Sequence, residues 1–195
     1  MSSILAHSLA GMSLWALARR APALRLLEHR AWLAGAAAAA CLPDLDALAG
    51  LPHRGPTHTA GFALGAAVLA CAAAAAGGLR REAPGVGLAV FAIVGSHPAL
   101  DLLTGGGPDV ALFWPFWNRA FPPVRGGLPL TGYTTAVGGL PGLLLDPWTL
   151  QAMLVEAAIF GPLFAATVCG RRRYEIALAI LGAGVWILMA LTASR

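Results

Sequence analysis

Apolar residues run in long blocks along this chain, broken by short polar clusters. Crossing a bilayer as a helix takes about 20 apolar residues. Four blocks meet or approach that length: Thr59–Leu79, Ala83–Leu103, Gln151–Cys169 and Tyr174–Ala193. Two shorter ones, Ser2–Ala18 and Ala31–Leu42, carry polar residues, and the second could extend to Gly50. The pattern predicts an all-α, polytopic membrane helix bundle of six helices. Its alanine runs, 36–40 and 72–76, suit both helix formation and close packing in a membrane. Between the fourth and fifth helices, Thr104–Leu150 is rich in Gly and Pro and is predicted to be non-helical. It holds Phe113, Trp114, Phe116, Trp117 and Phe121, aromatics that favour the membrane–water interface. They either anchor the loop there or form a wall for a lipid-like substrate.

Composition sharpens this picture. Hydrophobic residues make up 58% of the 195 positions and charged residues only 11%, against about 25% charged in a soluble domain. Mean hydropathy is +0.72. So few charges cannot cover a water-exposed fold, and lipid takes the place of polar surface. One membrane-embedded domain over residues 1–195 is expected, with the polar motifs in 1–118 and a C-terminal helical part in 151–195. The opening apolar stretch lacks a basic leader and a small-residue cleavage site, so it reads as a permanent first helix. Cys41, Cys71 and Cys169 lie far apart in apolar surroundings and read as buried small residues.

The net charge of +4 comes from 13 basic residues, all arginine. Nine of them, Arg19, Arg20, Arg25, Arg30, Arg80, Arg81, Arg171, Arg172 and Arg173, fall in three connections that share one side of a six-helix bundle. The positive-inside rule makes that side cytoplasmic. Arg54, Arg119, Arg125 and Arg195 fall on the other side, and both termini then face outward. No basic face with interleaved aromatics suggests nucleic acid as a partner.

Ionisable groups inside a bilayer are costly and mark functional sites. Here they are grouped: His7 in helix one, Asp44 and Asp46 after helix two, His53 and His58 before helix three, His97 and Asp101 near the end of helix four. His7 lies about 6 to 8 Å inside the outer start of its helix, and His97 and Asp101 about 3 to 9 Å inside the outer end of theirs, at 1.5 Å rise per residue. Four helix ends thus bring the groups to one depth. The His97–Asp101 spacing puts both side chains on one helix face, where they can share an ion. Imidazole and carboxylate together suit zinc, manganese or iron, whereas calcium favours oxygen alone.

Plainer readings exist for each piece. Asp46 could start a turn, Thr57 could N-cap helix three beside Pro56, and His53 could be a surface residue. Arg54 could anchor the loop or neutralise a phosphate or an aspartate. His29 reads as surface, Asp109 and Asp146 as loop residues, and His97 and Asp101 could pair without an ion.

The segments Leu42-Pro43-Asp44-Leu45-Asp46, His53-Arg54-Gly55-Pro56-Thr57-His58-Thr59 and His97-Pro98-Ala99-Leu100-Asp101-Leu102-Leu103-Thr104, with His7 and a following Pro115-Phe116-Trp117, resemble the bacterial membrane-bound metal-dependent hydrolase family. The resemblance covers the first 118 residues. More distantly, the motif order is similar to the zinc-dependent phospholipase C and single-strand nuclease superfamily, which is all-helical and cleaves phosphoesters. That similarity implies metal ligands at His7, His58, His97 and Asp101, with Asp44 or Asp46 as ligand or general base. The superfamily's second histidine–acid helix motif has no counterpart after His97, which limits the expected site to one or two metals.

The expected function is hydrolysis of an ester, foremost a phosphoester in a lipid or lipid-linked substrate, at the outer face of the cytoplasmic (inner) membrane. A divalent metal, zinc before manganese or iron, would be held by His7, Asp44, Asp46, His58, His97 and Asp101. Catalytic roles would fall to Asp44, Asp46, His53 and Arg54. The alternatives are a membrane transporter, whose polar groups usually lie nearer the midplane, and a non-catalytic membrane protein with a structural metal. Oligomeric state is not legible.

Overall fold

Alanine-rich apolar stretches with few polar side chains to compete for the backbone fold as helices, and the protein's structure, a computed structural model, follows them closely. It describes residues 4–21, 24, 31–48, 50, 54–104, 108–123, 147–169, 176 and 178–185. Helix α1 spans Ile4–Ala18 and α2 Ala31–Ala40. A 3₁₀ turn over Leu42–Asp44 leads to the short α3, Leu45–Leu48. A second 3₁₀ turn, Pro56–His58, precedes α4, Ala60–Ala76; α5 is Ala83–Leu103 and α6 Pro147–Cys169. Residues 178–185 are also helical. Among the described residues the only extended pairing is an isolated bridge between Val110 and Phe121.

The element boundaries differ from the sequence pattern where proline intervenes. The second helix stops at Ala40 instead of running to Leu42 or Gly50, because Pro43 can start a tight turn but cannot continue the helical ladder. Conversely, α6 begins at Pro147, four residues before Gln151, with proline in the first turn, where no donor is needed. The expected helix over Tyr174–Ala193 is described only in part, and the expected loop only over 108–123 beyond Thr104.

Helix α5 is long and apolar enough to cross a membrane, with 21 residues and a mean hydropathy of 1.7. Ile4–Ala18, Ala31–Ala40, Ala60–Ala76 and the Met153–Val168 part of α6 are apolar stretches of 10–17 residues. At 17 residues, α4 reaches about 25 Å.

Helices α1 and α5 are central: α1 packs on α2, α5 and α6, and α5 also packs on α4 and α2. Trp15, Leu24, Ala36, Ala40, Val86, Ala89 and Ile93 form the buried core. Small residues let the backbones close in. A Cβ on Gly11 of α1 would lie 2.6 Å from Ala40 Cβ and 2.7 Å from the Ala36 carbonyl oxygen. This contact draws α1 against the end of α2, one turn from His7. At the other end of α1, the Arg20 guanidinium donates to the Thr167 carbonyl near the end of α6 at 2.6 Å. A cation at a helix C-terminus satisfies a carbonyl the helix cannot.

Candidate metal centre

Four chain segments deliver the polar groups. His7 comes from α1, Asp44 from the 3₁₀ turn after α2 and Asp46 from α3 directly behind it, Arg54 and His58 from the segment before α4, and His97 and Asp101 from the last two turns of α5. Residues His7, Asp46, Arg54, His58, His97 and Asp101 are all 3% exposed or less. The centre therefore occupies one end of α1, α4 and α5. His53 lies outside the described residues.

Local chemistry fixes the turn that carries His58. Thr59, not Thr57, is the N-cap of α4, its hydroxyl accepting from the Phe62 amide at 3.0 Å. Such a cap is worth about 1 kcal/mol. The Ala60 amide donates to the Leu112 carbonyl at 2.7 Å, so the aromatic loop sits over the same helix end. Within that loop, Phe113, Trp117 and Phe121 pack together with ring centroids 5.7 to 6.0 Å apart, while Phe116 stays 87% exposed.

With its cap role taken by Thr59, Thr57 turns its hydroxyl to Asp46, donating to Oδ2 at 3.3 Å. The same carboxylate oxygen lies 3.3 Å from His58 Nδ1. Carboxylate accepts only, so the proton of His58 is assigned to Nδ1 and Nε2 keeps its lone pair. His97 is fixed in the same sense: its Nδ1 donates to the Ala40 carbonyl at 2.7 Å. That carbonyl became available because α2 ends at Ala40.

The two Nε2 atoms then face each other at 3.2 Å. Asp44 Oδ1 lies 3.3 Å from His97 Nε2 and 3.6 Å from His58 Nε2. Buried electron pairs gathered this closely repel one another unless a cation lies among them. Three donors about 2.0–2.1 Å from one tetrahedral ion are about 3.3–3.4 Å apart, so the observed spacings fit an ion. Asp44 Oδ1 is also buried without a hydrogen-bond partner.

A second grouping, His7, His97 and Asp101, also lies within 4.8 Å. Its geometry converges less well. The His7 and His97 rings are stacked, centroids 3.5 Å apart and planes 10° from parallel. Their in-plane lone pairs run side by side and do not meet, whereas the His58 and His97 planes cross at 74°. His7 Nε2 instead approaches Asp101 Oδ1 at 3.7 Å. Asp101 Oδ2 looks at the triangle, 3.7 Å from His58 Nε2 and 3.9 Å from His97 Nε2.

Arg54 closes the far side. Its Nε is 3.3 Å from Asp101 Oδ2, and its terminal nitrogens donate to the Pro108 and Asp101 carbonyls. To reach inward it adopts φ +62°, a left-handed conformation costly for a residue with a side chain. Of the triangle's side chains only Asp44 touches solvent, at 18%, against 0% for His58.

The sequence pattern missed two contributors. The hydroxyl of Thr57 reads equally well as a helix cap, and the Ala40 carbonyl carries no side-chain signal at all.

Together these features define an all-helical protein with a buried histidine–aspartate centre at one end of its helices. The chain belongs to the YdjM inner membrane protein family, whose model matches residues 1–194. Membership thus extends through the C-terminal helices, well past the 118 residues that carry the motif resemblance. The family description gives the inner membrane as the setting and names no activity. No curated protein and no solved structure matches the chain.

Proposed function

We propose that this chain is a multi-pass, metal-dependent hydrolase that cleaves an ester, foremost a phosphoester, in a lipid or lipid-linked substrate. The observation that carries the reading is the triangle of Asp44 Oδ1, His58 Nε2 and His97 Nε2, with edges of 3.2 to 3.6 Å. A set of two imidazoles and a carboxylate suits zinc, with manganese or iron as alternatives.

When bound, a divalent ion supplies Lewis-acid polarisation of the ester and activation of a water at neutral pH. The residues around it divide the remaining work. Asp44 is the member of the triangle whose side chain reaches solvent, so it lies nearest the open position that a catalytic centre requires. Asp101 faces the triangle and is the group placed to take a proton from an attacking water. Arg54 is engaged with Asp101 and Pro108, so its part is to hold Asp101 and balance its charge.

The outer surface supports a lipid setting. Leu69, Leu88 and Leu154 are each more than 70% exposed on helix faces, an unfavourable arrangement in water. The centre lies at the helix ends opposite the Arg80–Arg81 connection. By the positive-inside rule this favours an extracytoplasmic site, level with lipid head groups. The exposed aromatics beside α4 suit that interface.

The test is elemental analysis of the purified chain, then assay of phosphodiesters and phospholipids with the metal found. Metal-dependent turnover lost in His97→Ala is the expected result. Uptake of the ion into sealed proteoliposomes, without hydrolysis of any substrate, would make the protein a transporter and end this reading.

A further inference from the structure

Each imidazole of the triangle is gripped at the nitrogen that points away from it. For His97 the grip is a backbone carbonyl, Ala40 O at 2.7 Å. For His58 it is a built pair of side chains. Nδ1 lies 3.3 Å from Asp46 Oδ2 and 3.2 Å from Thr57 Oγ1, and Thr57 donates to the same Asp46 oxygen at 3.3 Å. Asp46 is only 1% exposed. One oxygen of its carboxylate is therefore engaged at the back of the ring. A carboxylate in that position fixes the tautomer, sets the ring's angle and raises its basicity as a ligand.

The number of ions follows from the same assignments. With Nδ1 donating to Ala40, His97 offers one lone pair, on Nε2, and one imidazole nitrogen serves one ion. Both candidate groupings among the described residues draw on that atom. Once the triangle uses it, the described residues leave only His7 and Asp101 to the other grouping. The Arg54 guanidinium already stands 3.3 Å from Asp101 Oδ2, so a second dication there would meet a like charge at close range.

Resting on the metal reading above, we infer that the centre takes one ion per chain and that Asp46, steadied by Thr57, is a positioning residue that aims His58 at it. The full chain in detergent, stripped with a chelator and titrated with Co²⁺ and then Zn²⁺, tests this without any assay of turnover. One ion per chain is expected. Asp46→Ala should bind about 10–100-fold more weakly, the usual cost of losing such a partner, and shift the Co²⁺ absorption bands while still taking one ion. Asp46→Asn, whose amide oxygen still accepts from Nδ1, should recover part of the loss. Thr57→Val, which leaves the carboxylate in place, should lose less than Asp46→Ala.

Two ions per chain would overturn the inference, as would wild-type affinity in Asp46→Ala. Asp46→Asn no better than Asp46→Ala would mark the carboxylate as a ligand and overturn the positioning role. A protein that binds one ion in this pattern and hydrolyses nothing upholds the inference and removes the proposed activity. A protein that binds no ion removes both.

Discussion

The imidazoles of His7 and His97 lie face to face, 3.5 Å between centroids and 10° from parallel. Two rings so arranged support each other by contact but do not point at one ion. His7→Phe, which keeps a flat ring against His97, should therefore retain at least half of the bound metal. His58→Ala should retain almost none. Elemental analysis of the two purified variants decides; equal loss in both would make His7 a ligand.

Arg54 and Asp101 are a buried ion pair at 3.3 Å. Removing one partner from such a pair leaves an uncompensated charge and costs roughly 3–5 kcal/mol. Arg54→Ala should lower the thermal midpoint in detergent by many degrees. Arg54→Ala combined with Asp101→Asn should recover much of it, because the orphaned charge is gone. A double variant no more stable than the single one would show that the guanidinium acts by packing alone.

Two glycines on facing helices should respond in opposite directions. At Gly11 a Cβ would press on Ala36 O and Ala40 Cβ at 2.7 and 2.6 Å, and overpacking of this kind costs about 1–3 kcal/mol. At Gly35 of α2 a Cβ would meet nothing within 4 Å, so alanine there should be neutral or gain up to about 1 kcal/mol of helix propensity. Thermal unfolding of Gly11→Ala and Gly35→Ala measures both.

Metal removal should destabilise the protein, since an ion bound only by the folded chain adds stability by mass action, about 2.7 kcal/mol at a hundred times its dissociation constant. Chelation should lower the thermal midpoint, and returning Zn²⁺ should restore it. Wild type should show this response and His97→Ala should not.

The side of the membrane is also testable. In a chain whose native cysteines are replaced by alanine, Phe116→Cys should react with an impermeant thiol reagent added outside intact cells. Gly78→Cys, beside Arg80 and Arg81, should react only after the membrane is opened. The reverse labelling would invert the orientation.

Much of the helix layout was legible because apolar blocks set it, and α5 begins and ends where the pattern put it. The places where reading failed are those ruled by single backbone events. Pro43 ends α2 early, and Pro147 starts α6 early. The His97–Asp101 pairing was legible from its spacing on one helix face, and the gathering of the other groups from the shared depth of four helix ends. The division of labour among them was not. Nothing in the order of residues distinguishes the aspartate that faces His58 Nε2 from the one behind its Nδ1. That distinction arises where the 3₁₀ turn passes into α3, which presents Asp44 and Asp46 to different sides of one ring.

The partial exposure of Asp44 has a kinetic corollary. Its neighbours in the triangle are buried, so among the described residues the shortest way from solvent to an ion held there runs past that carboxylate. Slim molecules presenting one oxygen end-on should enter readily, and broad, flat chelators should strip the ion slowly however tightly they hold it in free solution.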